Sequence, residues 1–271
     1  MKLVMIIESM FTEYPYEDRF RLVKEAGYDY VELWDVHDGL DLKKARALAD
    51  QNGLTIASIS GDLYDTSPQC NDPSMVDASR RDEYIEKLVK SMEVAKQLGA
   101  SYLHVHSNAF IPNTNGIPVD TFSEMDDQVK FANMVYTLKL LAPIAEKNNV
   151  TLILEACNKK DSPGYFLNST SRVAEIVRCV DSPNIRVVYD IYHAQIMEGN
   201  LLENIRKNID IIGYFHLSNV PNKGPLDKGE INFAAIAELL DELNYEGFAA
   251  FEIFPHTPTD VALASIKKYF K

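Results

Sequence analysis

The stretch Arg186-Val-Val-Tyr-Asp-Ile-Tyr-His-Ala-Gln-Ile-Met-Glu-Gly199 carries the clearest fold signal of the chain. It begins with the apolar residues Val187 to Tyr189 and stops at Asp190, with His193 three positions later. An apolar run that ends abruptly at a carboxylate is typical of a buried parallel strand that delivers a polar side chain to the open end of a sheet. The stretch therefore predicts a strand with a functional group at its carboxyl end.

Three more apolar runs end in the same way. They are Thr151-Leu-Ile-Leu-Glu155, Ile211-Ile-Gly-Tyr-Phe-His216 and Phe248-Ala-Ala-Phe-Glu252. A single acidic residue at a strand end is usually a solvated loop residue or a helix cap. Four polar groups at four strand ends are hard to explain by packing, so we expect them to converge on one site.

Strand-like and helix-like periods alternate from one end of the chain to the other. Eight β-α units in 271 residues, without a linker or a low-complexity segment, predict an α/β fold, a (β/α)8 TIM barrel that forms a single domain over residues 1–271. A doubly wound open sheet is the alternative, but it would call for a glycine-rich phosphate loop that the sequence lacks. In a barrel, the chemistry lies at the carboxyl ends of the strands, where the four polar groups fall.

Composition and charge limit the classes of function. The chain is 46% hydrophobic and 25% charged and carries a formal net charge of −13, which predicts a well-packed core and no basic nucleic-acid surface. No apolar run approaches the roughly 18 residues of a membrane span. The three scattered cysteines form no disulfide framework, which favours a reducing compartment. We therefore expect a cytoplasmic protein with a small-molecule substrate and no nucleic-acid or membrane partner; the sequence is compatible with a homo-oligomer.

The predicted cluster offers three carboxylates and one imidazole. Oxygen-rich ligand sets with one nitrogen suit Mg²⁺ or Mn²⁺ better than a structural zinc site, which favours sulfur. Without a cation, three carboxylates at a small barrel mouth would repel one another and raise one another's pKa. We therefore expect one divalent metal ion, Mg²⁺ or Mn²⁺, held by Glu155, Asp190, His216 and Glu252.

Further polar residues lie at predicted strand ends. His104 and His106 alternate along the fourth strand and share one face, with His106 nearer the end and the better candidate for a substrate contact. A hydrogen-bonded structural role is an equal alternative for His106. Glu32 and Trp34 end the second strand in the same way. His193 either caps a short helix or contacts the substrate.

Three stretches also carry a family resemblance: Leu154-Glu-Ala-Cys-Asn-Lys-Lys-Asp-Ser-Pro-Gly164, Tyr189-Asp-Ile-Tyr-His-Ala-Gln-Ile-Met-Glu-Gly199 and Gly229-Glu-Ile-Asn-Phe233. The chain resembles the xylose-isomerase-like barrels of the sugar phosphate isomerase/epimerase superfamily, and within it the hydroxypyruvate isomerase family. The resemblance extends over the whole chain and is sharpest from Leu152 onward.

The resemblance implies an isomerase that transfers a proton next to a carbonyl through a metal-stabilised enediolate. In related ketose 3-epimerases, residues of the last four barrel strands hold a divalent metal. That pattern maps onto Glu155, Asp190, His216 and Glu252. By the same resemblance, Glu155 and Glu252 form the acid/base pair, and His193 and Asp161 bind the substrate.

Two departures from the family pattern bear on the substrate. Hydroxypyruvate isomerases have glutamine where this chain has His216. Hydroxypyruvate isomerases and ketose 3-epimerases usually place an arginine in the loop after the seventh barrel strand, where this chain has Asn222 and Lys223. Hydroxypyruvate is a small carboxylate that needs a local cation, for which Lys223 is best placed. A neutral ketose would instead use hydroxyl-binding groups such as Glu32, His106 and Asp161.

The first functional prediction is therefore a hydroxypyruvate isomerase, which converts hydroxypyruvate to tartronate semialdehyde, and the alternative is a ketose 3-epimerase. Two other classes are less favoured. A DNA-repair endonuclease with this barrel and three zinc ions would need more than the six histidines of the chain. A non-catalytic sugar-binding barrel would not need a pair of opposed glutamates.

Overall fold

The computed structural model describes residues 1–36, 40–61, 72–108, 111–112, 118–119, 122–254 and 256–270. Its strands are β1 (Lys2–Ile6), β2 (Tyr30–Leu33), β3 (Thr55–Ser60), β4 (Tyr102–Val105), β5 (Ile111–Pro112), β6 (Pro118–Val119), β7 (Thr151–Glu155), β8 (Ile185–Asp190), β9 (Ile212–Leu217) and β10 (Phe248–Phe251). Its α-helices are α1 (Tyr16–Glu25), α2 (Leu42–Gln51), α3 (Arg81–Leu98), α4 (Asp127–Lys147), α5 (Thr170–Val180), α6 (Ile191–Met197), α7 (Leu201–Asn208), α8 (Phe233–Glu242) and α9 (Thr259–Lys267).

Eight of the strands close into a barrel, in the order β1-β2-β3-β4-β7-β8-β9-β10 around the ring. Every pair of neighbours in this ring is parallel. Strands β5 and β6 form a separate antiparallel pair. The predicted (β/α)8 TIM barrel is therefore confirmed. Among the described helices, none has the length and apolar character needed to cross a membrane.

Helix α3 shows how the local sequence sets an element. Leu88, Met92 and Ala95 recur at helical spacing and are all fully buried. The helix ends where Gly99 takes a left-handed φ of 74°, a conformation that glycine adopts without a steric penalty. An apolar stripe followed by a glycine is a helix signal that can be read from the sequence alone.

Aromatic side chains fill the lower part of the barrel interior. The rings of Tyr30, Tyr102 and Tyr214 all pack against Phe248, with centroid separations of 5.3 to 5.8 Å. Side chains two positions apart on a strand face the same side of the sheet. The next residues along these strands that face the interior therefore lie one layer higher, above an apolar floor. They are Glu32, His104, His216 and Ala250.

Candidate active site

The four predicted metal ligands lie together above this floor. Glu155 and Asp190 are the last residues of β7 and β8, His216 is next to last in β9, and Glu252 follows β10. One donor atom from each lies within 4.8 Å of the donor atoms of the other three. All four residues are buried, so their charges need partners within the site.

The spacing of these donor atoms fits a divalent cation. His216 Nδ1 lies 3.3 Å from Glu155 Oε1 and 3.1 Å from Glu252 Oε2. Neighbouring ligands of an octahedral ion with bonds of about 2.1 Å are themselves about 3.0 Å apart. Within the described part of the chain, His216 Nδ1 and Glu155 Oε1 are buried without a hydrogen-bond partner. The geometry and the oxygen-rich donor set both suit a hard cation such as Mg²⁺ or Mn²⁺.

Asp190 is shared between a helix cap and a lysine. Its Oδ1 accepts a hydrogen bond of 3.0 Å from the backbone N–H of His193, which caps helix α6. Its Oδ2 lies 2.7 Å from Lys223 Nζ, which also lies 2.7 Å from Glu252 Oε1. Lys223 therefore lies buried among the acidic groups. Although burial opposes it, the pairing with Asp190 and Glu252 raises the pKa of the Lys223 ammonium, which stays charged.

His193 is held in one tautomer by the loop after β7. The backbone N–H of Asn158 donates to His193 Nδ1 at 3.0 Å, so the ring proton resides on Nε2, which faces Asp190 Oδ2 at 3.7 Å. Burial, and then the charge of Lys223, lowers the pKa of His193. The ring is therefore a neutral imidazole that presents an N–H donor to the site.

Asp161, predicted to bind substrate, is exposed and supports this histidine indirectly. Asp161 Oδ2 accepts hydrogen bonds of 2.8 Å from the Asn158 side chain and 2.7 Å from the Tyr192 hydroxyl. The Asn158 amide nitrogen lies 2.7 Å from His193 Nδ1. These contacts connect Asp161 to His193 through Asn158.

Glu32 lies behind His216. Its Oε1 lies 3.3 Å from His216 Nε2 and accepts a hydrogen bond of 2.8 Å from Trp34 Nε1, and the residue has no exposed surface. A carboxylate that contacts the far nitrogen of a metal-binding histidine fixes the ring orientation and raises its basicity. The predicted substrate contact of Glu32 is therefore less well supported than a role in positioning His216.

His104 contacts the site more directly than sequence reasoning indicated. Its Nε2 lies 3.1 Å from Glu155 Oε2, and its ring lies 4.6 Å from the ring of His106. One donor atom each of His104, His106 and Glu155 lie within 4.8 Å of one another. His106 is thus close to this cluster, and His104 lies beside Glu155, one of the two predicted acid/base residues.

Neighbouring basic side chains keep both predicted acid/base residues ionised. Burial raises the pKa of Glu252, but Lys223 and His216 more than offset it and leave the pKa at about 2. Burial likewise raises the pKa of Glu155, while His104 and His216 bring it well below its ordinary value. Both groups are therefore carboxylates that can accept a proton.

Three residues of this site carried little sequence signal as functional groups. Asn158 and Tyr192 bind Asp161 and were not singled out, because an amide or a phenol in a loop is common. His104 shares a face with His106, but alternation alone does not show which of them reaches Glu155. A signal for Asn158 is its spacing, since it follows Glu155 by three residues and lies in one of the family-like stretches.

Comparisons with known proteins agree with this fold. A family model described as xylose isomerase-like TIM barrel matches residues 20–270. A putative hydroxypyruvate isomerase from Danio rerio is 30% identical over 274 residues, which cover 100% of this chain and 96% of the relative. A 2-oxo-tetronate isomerase from Cupriavidus necator is 28% identical over 268 residues, which cover 97% of this chain and 96% of the relative.

A solved structure provides a likeness of fold. The crystal structure of AP endonuclease, family 2, from Brucella melitensis matches with a TM-score of 0.88 and 24% sequence identity, over 100% of this chain and 99% of that one. At this identity the match shows the barrel and says nothing about the reaction.

Proposed function

The chain belongs to the xylose isomerase-like TIM barrel family and is an enzyme related to isomerases. We propose that it isomerises a small 2-oxo acid, with hydroxypyruvate as the first choice. The product would be tartronate semialdehyde. The observation that carries this proposal is Lys223, whose ammonium lies 2.7 Å from both Asp190 Oδ2 and Glu252 Oε1. A charged group at this position can receive the carboxylate of a 2-oxo acid beside the proton-transfer groups.

The relatives support a substrate of this chemical class. The names of these relatives refer to hydroxypyruvate and to 2-oxo-tetronate, and both compounds are 2-oxo acid anions with a neighbouring hydroxyl group. The net charge of −13 does not exclude an anionic substrate, because charges beyond about 8 to 10 Å are largely screened at physiological salt. It does disfavour a nucleic-acid partner.

We further propose one divalent ion, Mg²⁺ or Mn²⁺, as the cofactor. Its ligands would be Glu155, Asp190, His216 and Glu252. Such an ion supplies Lewis-acid polarisation of the substrate oxygens when it is bound. The chain itself provides the proton-transfer groups and the groups that orient the substrate.

The glutamates move the proton in this proposal. Glu155 Oε1 and Glu252 Oε2 each approach His216 Nδ1 within 3.3 Å, so the two carboxylates flank one small volume. One of them takes a proton from C3 of hydroxypyruvate, and the electron pair of that C–H bond forms the C2–C3 double bond of an enediolate. A proton is then delivered to C2 by the other glutamate or by the same one. The proton of the C3 hydroxyl passes to the C2 oxygen, so that C3 becomes the aldehyde and C2 carries the hydroxyl group.

His193 and Lys223 hold the substrate during this transfer. The Nε2–H of the neutral His193 ring donates to a substrate oxygen that gains negative charge in the enediolate. Lys223 holds the carboxylate, although as a point charge it gives less directional binding than an arginine fork. His106 lies nearby as a group for a substrate hydroxyl.

A ketose 3-epimerase is the second candidate, and His216 favours it. The imidazole occupies the position that the resemblance assigns to glutamine in hydroxypyruvate isomerases and to histidine in the epimerases. The same two glutamates would serve epimerisation if the proton returned to the opposite face of the same carbon.

A substrate panel with a lysine variant separates the two candidates. Purified enzyme with Mn²⁺ is assayed on hydroxypyruvate, 2-oxo-tetronate and free ketoses, with turnover and exchange of the ketose C3 proton followed by NMR. We expect the fastest turnover on a 2-oxo acid and its loss in Lys223→Ala. Retained hydroxypyruvate activity in Lys223→Ala, together with faster C3 exchange in ketoses, would show that the epimerase is right.

A further inference from the structure

Lys223 contacts a carboxylate oxygen that a bound cation would also need as a ligand. Asp190 Oδ1 is already committed to the backbone N–H of His193, so Oδ2 is the oxygen that remains for a metal. That same Oδ2 is held by Lys223 Nζ at 2.7 Å. The ammonium and a divalent ion therefore converge on one oxygen atom.

Glu252 repeats this arrangement. Its Oε2 lies 3.1 Å from His216 Nδ1, on the side of the proposed metal ligands, while its Oε1 lies 2.7 Å from Lys223 Nζ. A divalent ion bound to these carboxylates would lie within a few ångströms of the ammonium. Repulsion between like charges at that range in a buried site is large compared with the same pair in water.

The backbone around Lys223 is fixed, whereas its side chain is free to rotate about four carbon–carbon bonds. The Lys223 carbonyl accepts a hydrogen bond of 2.9 Å from the N–H of Phe254, and Asn219 and Gly224 form a paired bridge on either side of the turn. Lys223 itself has a left-handed φ of 51°. Only the side chain can therefore yield when a cation enters.

Two aromatic rings lie beside the Lys223 ammonium. Lys223 Nζ lies 5.2 Å from the ring centroid of Tyr192 and 5.9 Å from that of Phe254, within the range of cation–π attraction. Phe254 is 38% exposed, so this side of the site opens toward solvent. An ammonium displaced from the carboxylates would still be stabilised at the mouth, where a substrate enters.

We propose that Lys223 is an internal competitor of the divalent cation, and that cation binding releases its ammonium to receive the carboxylate of the substrate. The proposal rests on the function proposed above and deepens it. It makes the binding of metal and of a 2-oxo acid mutually favourable, because each is coupled to the same movement of one side chain. A neutral sugar would gain nothing from this release.

The first test measures Mn²⁺ binding rather than turnover. Titration calorimetry is run on wild type, Lys223→Met, Lys223→Arg and Lys228→Met. Lys228 is an exposed lysine of the same loop, so its variant has the same change in net charge without a contact to the carboxylates. We expect Lys223→Met to bind Mn²⁺ at least about tenfold more tightly than wild type, and Lys223→Arg and Lys228→Met to stay within about threefold.

Any other result of this titration counts against competition between Lys223 and the divalent cation. Unchanged or weaker binding in Lys223→Met overturns it and leaves the proposed metal site intact. Absence of Mn²⁺ binding in both wild type and Lys223→Met overturns the metal site and the competition together. If Lys223→Met does not fold, Lys223→Gln, which keeps a donor toward one carboxylate, takes its place under the same expectation.

The second test concerns the release of the ammonium. The affinity for pyruvate, a non-isomerisable 2-oxo acid, is measured with and without Mg²⁺ in wild type and in Lys223→Met. We expect Mg²⁺ to tighten pyruvate binding at least about fivefold in wild type and clearly less in the variant. An equal increase in pyruvate affinity in both proteins would mean that the metal alone holds the carboxylate. It would overturn the proposal that the released Lys223 ammonium binds the substrate.

Discussion

Replacing Glu32 by glutamine tests whether this residue positions His216 or binds the substrate. Glu32 is fully buried, and its Oε1 contacts His216 Nε2 at 3.3 Å and Trp34 Nε1 at 2.8 Å. Glutamine keeps the shape and a carbonyl oxygen for Trp34. It removes the negative charge that faces the imidazole and replaces the second carboxylate oxygen by an amide N–H2 group.

The expected magnitude follows from exchanging the charged partner of His216 Nε2, at 3.3 Å, for a neutral one. A hydrogen bond to a charged acceptor contributes about 1.5 to 3 kcal/mol, and one between neutral groups about 0.5 to 1.5 kcal/mol. The midpoints of these ranges differ by about 1.25 kcal/mol, which corresponds to a loss of metal affinity on the order of tenfold. It agrees with the about 10- to 100-fold effects seen when the partner of a metal-binding histidine is changed.

Trp34 provides the assay, because it is the single tryptophan of the chain and contacts Glu32. Quenching of its fluorescence by Mn²⁺ gives the affinity in wild type, Glu32→Gln and the control Glu238→Gln, an exposed position on α8 with the same loss of charge. We expect weaker binding in Glu32→Gln alone. Unchanged Mn²⁺ affinity with a raised KM would refute the positioning role and restore the predicted substrate contact.

Three further predictions concern Asp190 and Asn158 in the site and Glu8, which lies after β1. Asp190→Asn should weaken Mn²⁺ binding at least about tenfold, since a neutral amide is a poorer ligand for a hard cation; equal affinity by calorimetry would remove Asp190 from the ligand set. Asn158→Ala should lower kcat/KM about tenfold through His193 with Mn²⁺ affinity unchanged, and steady-state kinetics showing normal kcat/KM would contradict this role. Burial, and then the charge of Asp35, raises the pKa of Glu8 from 4.5 to about 8, so the folded protein retains a proton that the unfolded chain loses, and stability falls as pH rises between these values. Glu8→Gln should therefore raise Tm relative to wild type at pH 9 but not at pH 4.5, and an equal difference at both pH values would disprove the linkage.

Apolar runs that end at a polar residue made most of the fold and the central cluster predictable. Each apolar run was followed by one polar residue in phase with the interior, as in Tyr214 and His216 of β9 or Val188 and Asp190 of β8. Alternation along a strand is a local property, so it can be read without knowing the neighbours. The closed parallel barrel then brings the strand ends together.

The contacts that depend on loop paths and on barrel stagger were not predictable in this way. Lys223 lies in a loop whose turn needs left-handed φ values at Asn222 and Lys223, and a loop lysine is usually exposed. Its burial against Asp190 therefore had no sequence signal. The choice between His104 and His106 depends on the register of β4 against β7, which pairs Val105 with Leu154 and which periodicity does not encode.

Solvent-deuterium incorporation tests the central claim of proton transfer by Glu155 and Glu252 most directly. The enzyme is loaded with Mn²⁺ in D₂O and given hydroxypyruvate, or the 2-oxo acid that the panel identifies, and the label is located by mass spectrometry and NMR after Mn²⁺ is removed. We expect deuterium at the carbon that gains a proton, and a loss of turnover of at least about a hundredfold in both Glu155→Gln and Glu252→Gln while each variant remains folded. Near-normal turnover in either folded variant would contradict this assignment, and product formed without deuterium would exclude delivery of the proton by a second glutamate.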